Sequence, residues 1–229
     1  MKSLVSIDKV EKRFGKKTVL DGVSLQINKG DIYGLVGNNG AGKTTLMRII
    51  CGFESKNGGE IRYDKDLRIG SLIETPGLFG DMSAYSNLKL KAIADGIKFD
   101  KTDGEKILKT VGLENVGRKL VRKFSYGMKQ RLGLAMALMG NPDLVILDEP
   151  INGLDPEGIN DVRNIILNVN KEYGTTFLIS SHILDELMKV VDRFVIIKDG
   201  KVARDCTKEE FEKECNGEEL SSYYVKTYC

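Results

Sequence analysis

The stretch DIYGLVGNNGAGKTTLMRII (Asp31–Ile50) carries the reading of the whole chain. Its first part, DIYGLVG, is a short and nearly continuous apolar run, the pattern of a central strand. Its last part begins a helical pattern: Leu46, Ile49, Ile50 and Phe53 recur at i, i+3, i+4 and i+7, the spacing of a helix packed on a sheet. Between the two, GNNGAGKTT (Gly37–Thr45) matches GxxxxGK[ST] in the strand–loop–helix setting that the motif requires. Each part has a physical task. The glycines let the backbone N–H groups of Gly37, Asn38, Asn39, Gly40, Ala41 and Gly42 turn inward around phosphate oxygens. The helix N-terminus adds positive potential, Lys43 reaches the outer phosphates, and Thr44, followed by Thr45, offers a hydroxyl to Mg²⁺.

A second apolar run, LVILDEP (Leu144–Pro150), ends in two acids. Asp148 at such a strand end can hold Mg²⁺ through water, and Glu149 can polarise a nucleophilic water. Beside a phosphate loop, this pair points to binding of a nucleoside triphosphate and to its hydrolysis.

Outward from these two stretches, the pattern alternates between Ser3 and Asn28. Val23, Leu25 and Ile27 are apolar, Ser24, Gln26 and Asn28 are polar, and FGKK supplies a turn, which predicts antiparallel strands. From about Ser83 to Met139 the pattern is mostly helical, broken at ADGIKFDKTDG and VGLENVG. Strand-like runs resume at DLVILDE, TTFLISS and RFVIIKDGKVA, the last with an Asp-Gly hairpin turn. Between the first two, Asp155 as N-cap and Pro156 at the first helical position start a helix with Ile159, Val162, Ile166 and Val169 on one face. Strands alternating with helices predict a largely parallel sheet with its ligand at the carboxyl edge. The tail from Thr207 opens with a capping box to Glu210.

Composition narrows the function classes. In 229 residues, 35 Lys and Arg balance 33 Asp and Glu, so no bulk nucleic-acid binding is expected. Cys51, Cys206, Cys215 and Cys229 show neither CxxC pairing nor a histidine at metal-ligand spacing, so neither a zinc site nor a disulfide framework is indicated, and a reducing cytosol fits them. No apolar window has the length of a signal peptide or a membrane span, so a soluble chain is expected.

The chain holds one histidine, His182, at the end of TTFLISSHIL. Alone it reads as the satisfied end of a buried strand, and only a phosphate site at the same sheet edge gives it a task. FSYGMKQRLGLAMAL adds a second anion-binding helix end, where Ser125 and Gly127 present a hydroxyl and free N–H groups. Together, in order, GNNGAGKTT, FSYGM with KQR after it, LVILDEP, NGLDP and ISSH resemble the Walker A, signature, Walker B, D-loop and switch motifs of the nucleotide-binding subunit of an ATP-binding cassette (ABC) transporter, and the resemblance covers nearly the whole chain.

What the resemblance implies is specific. The fold is an α/β P-loop NTPase of ABC type: a mixed sheet, with an N-terminal antiparallel β subdomain and RecA-like core over 1–75 and 143–206, a helical signature subdomain over 76–142, and a C-terminal extension over 207–229. The ligands are ATP and Mg²⁺. His182 contacts the γ-phosphate and helps place the attacking water, Phe14 stacks on adenine where the family more often has Tyr, and Asp155 lies in the loop linking two composite sites. A head-to-tail dimer is implied in which Ser125 and Gly127 of one cassette face the ATP of the other, with separate transmembrane permease subunits holding the pair at the inner face of the membrane.

Two departures stand out. Phe124, Tyr126 and Met128 replace the commonest signature residues. In IGSLIETPGLFGDMSAYSNL, Glu74 occupies the position of the Q-loop glutamine; followed closely by Pro and Gly, it resembles the bacitracin-resistance and lantibiotic-immunity exporters and is expected to serve both as a metal-side ligand and as a contact to the permease. Competing readings are a soluble single-cassette ABC ATPase in a cytosolic assembly and a P-loop kinase, the latter leaving the signature and switch unexplained.

Overall fold

The computed structural model describes residues 2–228. Strands β1 (Ser3–Phe14) and β2 (Lys17–Asn28) form the expected hairpin, with Val23, Leu25 and Ile27 buried and Ser24 and Gln26 exposed. Strand β3 (Ile32–Val36), buried at every position, leads through the glycine-rich loop into α1 (Lys43–Ile50). Here one expectation needs correction. Gly52 takes φ +74° and turns the chain away after α1 ends, so Phe53, expected on the buried helix face, is 63% exposed.

Strand β4 (Gly58–Tyr63) returns antiparallel to β1, and completes a three-stranded sheet of order β2-β1-β4. Neither β4 nor the short β5 (Ile69–Leu72) carries an apolar run that announces a strand. The helical stretch resolves into α2 (Ala84–Ala94), α3 (Lys101–Thr110) and α4 (Tyr126–Leu138). Then follow β6 (Leu144–Asp148), α5 (Pro156–Tyr173), β7 (Thr176–Ser180), the single turn α6 (Leu184–Leu187), β8 (Arg193–Lys198) and β9 (Lys201–Thr207). The larger sheet has the order β5-β6-β7-β3-β8-β9, with every pair parallel except the β8–β9 hairpin, whose turn residues Asp199 and Gly200 both have positive φ.

The two faces of that sheet carry different cores, because side chains alternate along a strand. Tyr33, Leu35, Leu144, Ile146, Leu178, Val195 and Ile197 pack against α1 and the antiparallel sheet. Ile32, Val36, Val145, Leu147, Phe177, Ile179, Phe194 and Ile196 pack against the helices. Each such large side chain taken fully out of water stabilises the fold by about 1.5–3 kcal/mol. On the helical side α4 presses closely on β5: a Cβ at Gly70 would stand 1.8 Å from the Ala137 carbonyl oxygen, which only glycine permits.

The tail forms α7 (Lys208–Cys215), whose Thr207–Glu210 capping box is present as read, and α8 (Leu220–Tyr228). Cys206 and Cys215 are buried and unpaired, Cys51 is half-buried, and burial pushes the Cys51 and Cys206 thiols up to about 11, well away from reactivity. Cys229 lies outside the described residues. Among those residues no helix is long and apolar enough to cross a membrane.

Candidate functional site

Three strand ends make the site. Ser180 of β7 pairs in register with both Leu35 of β3 and Asp148 of β6, so the residues that follow these strands emerge level at the carboxyl edge. After β3 the loop closes on its own lysine: Lys43 Nζ donates to the Gly37 carbonyl at 2.6 Å and the Asn38 carbonyl at 3.3 Å. Gly42, at φ +109°, is the N-cap of α1 and supplies a backbone conformation that L side chains rarely adopt. Asn38, Asn39 and Gly40 are exposed, whereas Ala41 and Gly42 are buried behind them, so the open side of the loop faces solvent above the helix N-terminus. Thr45 is half-buried in the first turn of α1.

At the end of β6, Asp148 is nearly buried and both its carboxylate oxygens accept hydroxyl bonds, one from Thr44 Oγ1 at 2.7 Å and one from Ser180. Glu149 follows with φ +50°, a left-handed conformation that costs a non-glycine residue on the order of 1 kcal/mol. The Ser180 side chain helps to hold it there, since the Glu149 N–H donates to Ser180 Oγ at 2.9 Å. Glu149 Oε2 lies 2.7 Å from His182 Nδ1. The lone histidine therefore meets the second acid of LVILDEP.

These contacts bring together Lys43, Thr44, Asp148, Glu149 and His182. The antiparallel hairpin borders them: a Cβ at Gly42 would stand 2.6 Å from Leu20 Cδ2 and 2.9 Å from the Val19 carbonyl oxygen, both at the start of β2. Phe14, at the tip of that hairpin, is 48% exposed. Ser125 and Asp155 lie elsewhere, each exposed and each capping its own helix, by accepting from Met128 N–H at 3.3 Å and Gly158 N–H at 2.8 Å. They share one surface, since the Tyr126 ring lies against Gly153 and Leu154 against Gly127.

Glu74 leaves the end of β5 at φ +65°, and its Oε1 accepts from Arg48 Nη1 at 2.9 Å. Arg48 lies outside every motif read from the sequence, although its position four residues after Thr44 places it on the same face of α1. Ser180 was also missed as a site residue; its signal was a hydroxyl ending an otherwise apolar strand. A third is Gln130, in the KQR after the signature, whose buried amide donates to the Pro150 carbonyl at 2.9 Å and ties α4 to the turn after Glu149.

The arrangement is a phosphate cradle next to a carboxylate held by an imidazole. The family model described as ABC transporter matches residues 20–152, and one described as AAA domain, putative AbiEii toxin, Type IV TA system matches 120–189. The chain is 43% identical to the lantibiotic transport ATP-binding protein SrtF of Streptococcus pyogenes over 223 residues, covering 94% of this chain and 93% of that one. It is 39% identical to the bacitracin transport ATP-binding protein BcrA of Enterococcus faecalis, covering 93% of this chain and 72% of that one. Among solved structures it resembles the ADP conformation of MJ1267, an ATP-binding cassette of an ABC transporter, with a TM-score of 0.86 at 27% identity over 98% of this chain and 99% of that one. With the glycine-rich loop, the paired acids and His182 already assembled by its own strands, the chain belongs to the ATP-binding subunits of the ABC transporter family, ATPases whose hydrolysis drives transport.

Proposed function

We propose that this ATPase energises the export of peptide antibiotics of the lantibiotic or bacitracin type, working with separate membrane-spanning subunits. The observation that carries the reading is the near full-length similarity to a lantibiotic transport ATP-binding protein, with Glu74 in the loop after β5 as its local counterpart. In this reading Lys43 and the N–H groups of 37–42 hold the phosphates of ATP, and Phe14 stacks on the base. Thr44 and Asp148 offer the hard oxygen donors that Mg²⁺ takes, already 2.7 Å apart, and two protein oxygens leave room for water and phosphate around such an ion. When bound, Mg²⁺ neutralises phosphate charge. Glu149, oriented by His182, takes the proton of the attacking water. Glu74 serves the metal side in one part of the cycle and the permease in another, with Arg48 as its partner within the chain.

Ser125, Gly127 and Asp155 act on the ATP of a second cassette, in the same reading a second copy of this chain. The exposed caps Ser125 and Asp155 support this, because the helix N-termini they begin lie on a surface shared by α4 and α5. The lobe of 76–142 transmits closure of the pair to the permease, which holds the cassettes at the inner membrane face.

Size-exclusion chromatography with ATP tests the arrangement. Glu149→Gln is expected to run as a dimer, and the same protein carrying Gly127→Asp as a monomer that still binds ATP, because a carboxylate there opposes the triphosphate. Dimers in both would defeat the assignment to a partner's ATP. For the cargo, cells expressing the chain with its permease are expected to tolerate more lantibiotic or bacitracin than cells lacking it, and equal sensitivity to both would remove the peptide-antibiotic reading.

A further inference from the structure

Lys12 is out of place for a lysine. It is 5% exposed, and lysine is almost never buried unless paired. Its ammonium donates to Glu54 Oε1 at 2.8 Å, to the Ser55 carbonyl at 2.6 Å and to Ser55 Oγ at 3.4 Å, which uses all three of its protons. The same ammonium stands over the ring of Phe14, 4.8 Å from its centroid and inside the reach of a cation–π contact. None of the roles assigned above uses it.

The residues that hold Lys12 come from the segment joining α1 to β4. Asn57 of that segment continues the attachment: its N–H donates to the Glu11 carbonyl at 2.8 Å, and its Oδ1 accepts from the Arg13 N–H at 2.7 Å. The end of β1 needs such support, because its register with β2 shifts between Val10 and Lys12 and again between Lys12 and Arg13. The hydrogen bond from Lys12 also holds the Glu54 carboxyl below the usual range.

We propose that Lys12 is a positioning residue for nucleotide binding, whose buried ammonium fixes and polarises the Phe14 ring so that the solvent-facing side of the ring is set to receive a purine. The inference rests on Phe14 being the base platform. A cation over an aromatic ring draws π density toward itself and leaves the other face less negative, which favours stacking with an electron-rich base. A ring held before the base arrives also loses less side-chain freedom on binding.

The test is titration calorimetry of the whole chain with ATP and, as a base-free probe, with inorganic triphosphate. Phe14→Ala is expected to weaken ATP about tenfold, within the range of one lost base–aromatic stack, and to leave triphosphate binding unchanged. Lys12→Met is expected to weaken ATP about three- to fivefold, again without effect on triphosphate, and to add nothing when combined with Phe14→Ala. Glu54→Gln, which keeps the lysine but removes the charge of one of its three acceptors, should shift ATP binding in the same direction by about twofold, and it serves as the readout if Lys12→Met does not fold. Parent-like ATP binding by Phe14→Ala would remove the platform and this role with it. A weakened Phe14→Ala alongside unaffected Lys12→Met and Glu54→Gln would keep the platform and sink only the role of Lys12. Equal losses for ATP and triphosphate, or additive losses in the double variant, would reduce Lys12 to a support of the hairpin and overturn the inference.

Discussion

Glu149 and Glu74 emerge from neighbouring parallel strands at the same level, since Leu72 of β5 pairs with Leu147 of β6 and each glutamate follows two residues later. Both adopt left-handed backbones, at φ +50° and φ +65°. They differ in what surrounds them. Glu149 has a side chain 24% exposed and meets His182, whereas Glu74 is 61% exposed and meets Arg48. An imidazole orients a carboxylate for proton transfer and can share the proton. A guanidinium holds a carboxylate as a charge and cannot give up a proton. Two glutamates with similar left-handed backbones thus meet an imidazole in one case and a guanidinium in the other, and the roles proposed for them differ accordingly.

The largest expected effect bears on the chemical half of that contrast. Glu149→Gln should leave ATP binding intact and lower turnover by about a hundredfold or more, the loss of a positioned base. His182→Ala should fall in turnover likewise, while Lys43→Ala should lose ATP affinity instead. Steady-state hydrolysis and equilibrium binding measured on the three variants decide the matter, and retained turnover in Glu149→Gln would strip it of the role. A smaller effect is expected across the contrast. Glu74→Gln should keep hydrolysis by the isolated chain within about tenfold, under about 1.4 kcal/mol in the barrier, yet markedly lower antibiotic protection in cells carrying the whole transporter. Protection undiminished with Gln at 74 would show that the charge there serves neither chemistry nor contact and return the cargo to an unknown. The smallest effect concerns Arg48. Its pair with Glu74 is solvent-exposed, so Arg48→Met should change unfolding free energy by less than about 1 kcal/mol in a denaturant titration. A larger loss would show that the pair supports the fold as well as holding the loop.

Much of the site was legible in the chain because its motifs are local. GNNGAGKTT needs only the strand before it and the helix after it, and both are present at the positions read. The hairpin of Ser3–Asn28, the Asp155 cap and the Asp199–Gly200 turn follow the same rule, since turn and cap chemistry act over two to four residues. The failures were non-local or marginal. Phe53 fits a helical spacing one turn too far, because Gly52 ends the run by a backbone conformation that periodicity does not register. Strands β4 and β5 are strands by virtue of β1 and β6 beside them, and their own residues carry little apolar signal.

By itself the sequence determined the P-loop, the strands with apolar or alternating runs, the identity of the acids, and the single histidine, since each depends on residue type and near-neighbour spacing. Only the tertiary structure decided which of them meet. The parallel register that levels Leu35, Asp148 and Ser180 brings His182 to Glu149 and Thr44 to Asp148 across separations of 33 and 104 residues. The same packing gives Glu74 to Arg48 and Lys12 to Glu54. The physical reason is that such pairings are made by sheet register and by burial on opposite sheet faces, which are properties of the assembled core that no short window of sequence contains.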